Sequence, residues 1–311
     1  MQNEILGLHH ITAIAGSAQM NFDFYTKVLG QRLVKKTVNF DDPGTYHFYY
    51  GDEQGTPGTL LTFFPWEGAR RGLAGTGMAT NFSYEVPKGS LGFWRDRLQQ
   101  HSVKHGEVGE KFGEQYLPFE DPDGLKIEFV ESNTADEREP WKTGEVGKDV
   151  ATRGFHNATL TLRKHEATAK VLTEVLGYKL LKQEGDRYRL HTETVANASI
   201  IDILETPTGP ASIGGSGTNH HIAFRVKDEE ALMYYREKVL EFGLNITPKI
   251  DRDYFFSLYF REPGGVLFEI ATDNPGFTRD ESLADLGKNL KLPSQYESMR
   301  AEIEKVLPVL K

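Results

Sequence analysis

One stretch constrains this chain more than any other: Thr218 to Thr272 reads as a complete strand, helix, strand, strand unit, and the rest of the sequence repeats it. The unit opens with TNHHIAFRV, whose period-two alternation predicts a strand with His221, Ala223 and Arg225 on one face and His220, Ile222 and Phe224 on the other. DEEALMYYREKVLEFG follows, with acidic residues in its first turn, apolar residues at helical spacing through Leu232, Tyr235, Val239 and Leu240, and a stop at Gly243. Two extended runs, YFFSLYF and VLFEIA, close the unit around the turn sequence EPGG.

First strands of the same kind are predicted at LHHITAI (His10), NFSYEV (Asn81), FHNATLTL (His156) and HHIAFRV (His221), and last strands at TLLTFFP, GLKIEFVE, ASIIDILE and GVLFEIA. KVLGQRLVKKT near Lys27 and EVLGYKLLKQE near Glu174 match one another within the first and third copies. A helix is expected after Ser17 with a stop at Gly30, another around Phe93 to Leu98, and a further one in the tail from about Gln295 to Val306. The expected architecture is α+β, with four βαβββ modules forming two open-barrel domains. Residues 1–131 hold the N-terminal pair of modules, 132–152 a polar linker, 153–275 the C-terminal pair, and 276–311 a helical tail that packs on the body or on a partner subunit, which would make a homo-oligomer.

With 31 glycines and an aromatic content of 11% in 311 residues, the chain has ample material for a strand-rich core. A formal charge of -9 argues against nucleic acid as a partner. No run is long enough to cross a bilayer as a helix and no basic-then-apolar signal opens the sequence, so a cytoplasmic protein without a membrane partner is expected. Cysteine is absent, so any metal must be held by nitrogen and oxygen.

A carboxylate in GVLFEIA is costly to bury unless it is paired or ligating. Two imidazoles and that one carboxylate would leave several positions of a coordination sphere open, an arrangement suited to non-haem iron and also within reach of manganese or zinc. His221 and Glu269 belong to the fourth copy. The second imidazole depends on how the copies pair: His156 if neighbours pair, His10 if the outer copies do. LHHIT copies the doubled histidine of the fourth unit and FHNAT does not, which favours His10. His9 and His220 then face away from the metal as packing residues, or support it as neighbours and proton carriers. In the second copy Glu128 falls at the place of Glu269 but Asn81 stands where histidine is needed, so that half-site reads as vestigial; in the third Asp202 is the only plausible carboxylate near the ligand place.

These βαβββ repeats with first-strand histidines and a last-strand glutamate resemble the vicinal oxygen chelate superfamily, which includes glyoxalase I, extradiol dioxygenases and bleomycin-resistance proteins. More closely, LHHITAIAGSAQMNFDFYTKVLGQRLVKKTVNFDDPGTYHFYYGDEQGTPGTLLTFFPW, NHHIAFRV, DRDYFFSLYFREPGGVLFEIATDNPGF and the LPSQYE tail resemble the methylhydroquinone and chlorohydroquinone 1,2-dioxygenases over almost the whole chain. The resemblance implies Fe(II), with Mn(II) or Zn(II) as alternative occupants, held by His10, His221 and Glu269. It implies a pocket for a small aromatic substrate and O2 bordered by His9, Thr12, His220, Arg252 and Tyr259. From the residues alone Arg252 reads as a surface cation and Tyr259 as a core aromatic. Two other readings compete: a glyoxalase-type isomerase or lyase, which would bring a second carboxylate ligand, and a metal-free protein that sequesters aromatic compounds.

Overall fold

A computed structural model describes residues 3–134 and 136–311; Met1, Gln2 and Ala135, which fall in the first module and the linker, lie outside the described residues. The first module carries β1 (Leu8–Ala15), β2 (Arg32–Val38), β3 (Tyr46–Gly51) and β4 (Leu60–Pro65), with α1 (Ala18–Asp23) between its first two strands. The second carries β5 (Met78–Glu85), α2 (Leu91–Gln100), β6 (Gly109–Lys111), β7 (Glu114–Glu120) and β8 (Lys126–Glu131). The third has β9 (Gly154–Leu162), α3 (Glu166–Lys170), β10 (Lys179–Glu184), β11 (Arg187–His191) and β12 (Ile200–Glu205), and the fourth β13 (Thr218–Val226), α4 (Glu229–Glu241), β14 (Ile250–Asp251), β15 (Phe255–Arg261) and β16 (Leu267–Pro275).

Two curled sheets of eight strands result, ordered β14-β15-β16-β13-β1-β4-β3-β2 and β10-β11-β12-β9-β5-β8-β7-β6. The first and fourth modules share one sheet and the second and third the other, joined in each case through antiparallel first strands, β1 with β13 and β5 with β9. The boundaries 1–131 and 153–275 therefore mark consecutive module pairs along the chain, whereas each sheet takes one module from either side of the linker. The segments leading into β5 and β13 also cross: Leu73 and Ile213 exchange both backbone hydrogen bonds, at 2.8 and 2.9 Å. Glycine is required beside this crossing, because a Cβ on Gly217, at φ +77°, would stand 2.1 Å from the Asp123 carbonyl oxygen.

The matching KVLG and EVLG segments fold alike. After α1 and α3 the helix widens into π-type turns at Phe24–Val28 and Val171–Val175, and each ends on a glycine with positive φ, Gly30 at +67° and Gly177 at +75°. The helix after Ser17 is thus α-helical only to Asp23. The tail helix is likewise shorter than expected: Ser294–Met299 is 3-10 and α5 runs Arg300–Val306. The tail lies on the first module, where the Tyr296 hydroxyl donates to the Phe40 carbonyl at 2.6 Å and buried Lys35 pairs with Asp280 and Glu281 at 2.6 and 2.5 Å. Among the described residues no helix is long and apolar enough to cross a membrane.

Candidate metal centre

Strand register assembles the site. His10 on β1 pairs with Ala223 on β13, Ala223 with Glu269 on β16, and Glu269 with Tyr259 on β15, so these four side chains form a row across one face of the sheet. Thr12 and His221 are partners in the neighbouring row, two residues along each strand and hence on the same face. Ala223, between His10 and Glu269, contributes only a methyl group, so the space above it is left to the longer side chains around it.

His10 Nε2 and His221 Nε2 lie 3.1 and 2.9 Å from Glu269 Oε2 and 3.3 Å from each other. All three residues are buried. Three donors on one octahedral face, each about 2.1 Å from a common centre, would stand about 3.0 Å apart. The separations here fit such a face, and the outer-copy pairing brings His10, and not His156, to it.

The tautomers point the same way. His9 Nε2 lies 3.0 Å from the Thr272 carbonyl oxygen, which can only accept, so that nitrogen carries the proton. His9 Nδ1 then accepts from His10 Nδ1 at 2.9 Å, leaving His10 Nε2 as a bare lone pair facing the carboxylate. His220 Nδ1 and His221 Nδ1, 2.8 Å apart, repeat the contact. Glu269 Oε1 and Oε2, fully buried, have no hydrogen bond of acceptable geometry. The short distances to the imidazoles are therefore lone pairs meeting a carboxylate, and a cation is what would reconcile them. Burial pushes the Glu269 carboxyl upward, and protons on the facing His10 and His221 would outweigh it and hold the group well below the usual range; with both Nε2 atoms bare, a bound cation would take over that role. Burial pushes His221 down, so it is neutral. Neutral imidazoles and a carboxylate are the protonation states a metal requires.

A cavity of about 430 Å³ opens beside the triad, walled by Phe40, Phe64, Trp66 and Phe255 among others. Thr12, His220, Arg252 and Tyr259 line it. Arg252 lies 5.4 Å from the centre of the Tyr259 ring and 3.8 Å from Asp41, and Tyr259 meets the His221 ring edge-on at 5.6 Å. Arg252 is thus a wall of the cavity and not a surface cation. Burial, then the charge of Glu269, pushes the Tyr259 hydroxyl above its ordinary value, so it keeps its proton. His220 shares this cavity, unlike an ideal alternating strand would have it, and burial with neighbouring His221 brings it down to about 4. His9 stands behind His10 and borders a separate cleft.

Residues that the sequence did not single out complete the wall. Thr12 Oγ1 contacts Thr62 Oγ1 at 2.8 Å, Thr62 contacts His47 Nε2 at 3.0 Å, and His47 Nδ1 contacts the Tyr49 hydroxyl at 3.0 Å. The signal for His47 and Tyr49 was present in YHFYYG, where they alternate with Tyr46, Phe48 and Tyr50. His156 is fully accounted for elsewhere, 3.3 Å from Glu114 and 2.8 Å from the Asn157 side-chain oxygen.

Comparison with known proteins agrees with the geometry. The family model for the Glyoxalase/Bleomycin resistance protein/Dioxygenase superfamily matches residues 7–129 and 154–270. MhqO of Bacillus subtilis, named as a ring-cleaving dioxygenase, is 48% identical over 99% of this chain and 97% of its own. The chlorohydroquinone/hydroquinone 1,2-dioxygenase of Sphingobium indicum is 38% identical over 97% and 96%. A solved Bacillus subtilis structure described as a dioxygenase superposes with a TM-score of 0.95 at 46% identity, covering 100% of this chain and 99% of that one. Glyoxalase I from Zea mays, at 17% identity and TM-score 0.64 over 86% of this chain and 92% of its own, shares the fold. This chain belongs to the Glyoxalase/Bleomycin resistance protein/Dioxygenase superfamily and, within it, to the hydroquinone-type ring-cleaving dioxygenase family.

Proposed function

We propose that the chain is an Fe(II)-dependent dioxygenase that opens hydroquinone-type aromatic rings beside a hydroxylated carbon, with His10, His221 and Glu269 as the iron ligands. The observation that carries this reading is the buried triad of Nε2, Nε2 and Oε2 at 2.9 to 3.3 Å with no proton to share. The name of the Sphingobium indicum relative supports the substrate class, a para-dihydroxybenzene, with O2 as co-substrate. When bound, the ion would supply a Lewis-acidic, redox-active centre with open sides.

The protein's own groups have separable tasks. Phe64 and Trp66, 5.5 Å apart, offer faces against which a ring can stack. The Tyr259 hydroxyl donates a hydrogen bond to negative charge developing on a substrate oxygen, and Arg252, held against that ring, adds a fixed positive charge. His220, which accepts at Nδ1 from His221 Nδ1 and so carries its own proton at Nε2, offers that N–H as a hydrogen-bond donor to a substrate oxygen in the cavity. His9 locks His10 in the tautomer that leaves Nε2 free. The glyoxalase-type alternative expected a second carboxylate ligand; among the described residues the buried group is two histidines and one glutamate.

Oxygen consumption by the anaerobically Fe(II)-loaded protein on addition of methylhydroquinone tests the assignment. Stoichiometric uptake with the ultraviolet spectrum of a ring-opened product is expected. No uptake with a panel of hydroquinones and catechols would overturn it.

A further inference from the structure

The sheet shared by the second and third modules holds a cavity at the place equivalent to the metal pocket, and it is larger, about 560 Å³ against about 430 Å³. Equivalence follows from register. Thr159 pairs with Asn81 as Thr12 pairs with His221, Ser83 pairs with Glu128 as Ala223 pairs with Glu269, and Pro118 pairs with Glu128 as Tyr259 pairs with Glu269. No metal centre survives there. Asn81 and Asn157 replace the histidines, and Glu128 is taken up by the Ser83 hydroxyl at 2.6 Å and by the Lys111 ammonium.

The cavity is open like the metal pocket, but its walls carry different charges. Pro118 and Leu204 stand where Tyr259 and Phe64 close the metal pocket, which accounts for the extra room. Arg187 and Lys126 occupy the places of His47 and Leu267. Lys104, also in the wall, is neutralised by Glu120 at 2.7 Å. Among the described residues neither Arg187 nor Lys126 has a carboxylate within 4.0 Å, and Arg187 Nη1, shielded from solvent, has no hydrogen-bond partner. Keeping the Arg187 guanidinium without an acidic partner in the wall is costly, and an anion in the cavity would supply one.

We propose that this second cavity binds a small organic anion, a carboxylate of about the size of one aromatic ring, with Arg187 as its principal contact and Lys126 as a second positive charge. The planar guanidinium fork matches a carboxylate in two parallel hydrogen bonds, and the volume lies within the range of small-molecule sites. Binding requires no metal, so the proposal stands or falls separately from the dioxygenase assignment.

Calorimetric titration with benzoate, and with benzamide as the uncharged isostere, tests it on the metal-loaded protein and again after chelation. One benzoate site that persists after chelation is expected, together with no benzamide binding. Arg187→Gln should weaken benzoate about tenfold or more, and Lys126→Gln, at an exposed position, by a smaller factor, with melting temperatures showing that both variants remain folded. Benzoate binding that disappears on chelation, that benzamide matches, or that neither substitution changes would overturn the proposal. Should Arg187→Gln fail to fold, Lys126→Gln and the benzamide comparison still decide.

Discussion

The two sheets are the same construction with opposite contents, and three positions account for most of the difference. In the sheet of the first and fourth modules (the outer sheet, by chain order) His10, His221 and Glu269 converge above the methyl of Ala223; in that of the second and third (the inner sheet) Asn157, Asn81 and Glu128 stand around Ser83, whose hydroxyl binds the carboxylate at 2.6 Å. A carboxylate on a last strand is therefore not enough to make a ligand. It must be left without hydrogen-bond donors, as both oxygens of Glu269 are, so that only a cation can satisfy it. Even the supporting contact is conserved between the halves: His156 touches Asn157 at 2.8 Å as His9 touches His10 at 2.9 Å, but in the inner sheet there is no lone pair to aim.

The largest expected break in the comparison is loss of the metal itself. His221→Ala or Glu269→Ala should leave protein that retains no stoichiometric iron, while His156→Ala retains one equivalent by elemental analysis; iron retained in the first two would mean that other residues are the ligands. Converting the inner sheet is the reverse test. Asn81→His with Asn157→His should still give one metal per chain, because Ser83 and Lys111 continue to occupy Glu128. Adding Ser83→Ala and Lys111→Gln should allow a second equivalent. Two equivalents in the double variant would show that those ties are irrelevant.

How much of this was legible in the sequence depends on the kind of signal. The repeat, the four first strands and Glu269 were legible because period-two alternation and a charge inside an apolar strand are local patterns. Pairing of the first module with the fourth was not a hydropathy signal at all; it rested on the doubled histidine of LHHIT and HHIA. His156 shows the limit. Aligned by its strand it falls at the place of His9, one residue from a ligand position, and in a strand one residue is the other face of the sheet. His47 and Tyr49 went unnoticed because YHFYYG is aromatic on both faces, and the roles of Arg252 and Tyr259 came from family resemblance alone. The shared cavity position of His220 could not be anticipated from ideal alternation.

Smaller effects sharpen the comparison. His9→Ala should lower metal affinity about 10- to 100-fold without abolishing binding, since the tautomer of His10 is no longer fixed; competition against a chelator of known affinity measures this, and an unchanged constant would remove the tautomer argument. The smallest change is expected at Glu85, at the end of β5 in the inner sheet. Burial pushes its carboxyl up to about 7, against the opposing charges of His156 and Arg138. A carboxyl raised on folding contributes stability that is complete below its unfolded value of 4.5 and is lost as pH rises through 7. Glu85→Gln should therefore gain about 1–3 kcal/mol relative to the unsubstituted protein between pH 5 and pH 8 in urea unfolding. A difference independent of pH would contradict it.

The most direct test of the central claim is an anomalous-difference map from crystals of the Fe(II)-loaded protein recorded at the iron edge. The account predicts a single peak within about 2.0–2.2 Å of His10 Nε2, His221 Nε2 and a Glu269 carboxylate oxygen. A peak between Asn81, Asn157 and Glu128, or no peak at the triad, would contradict it.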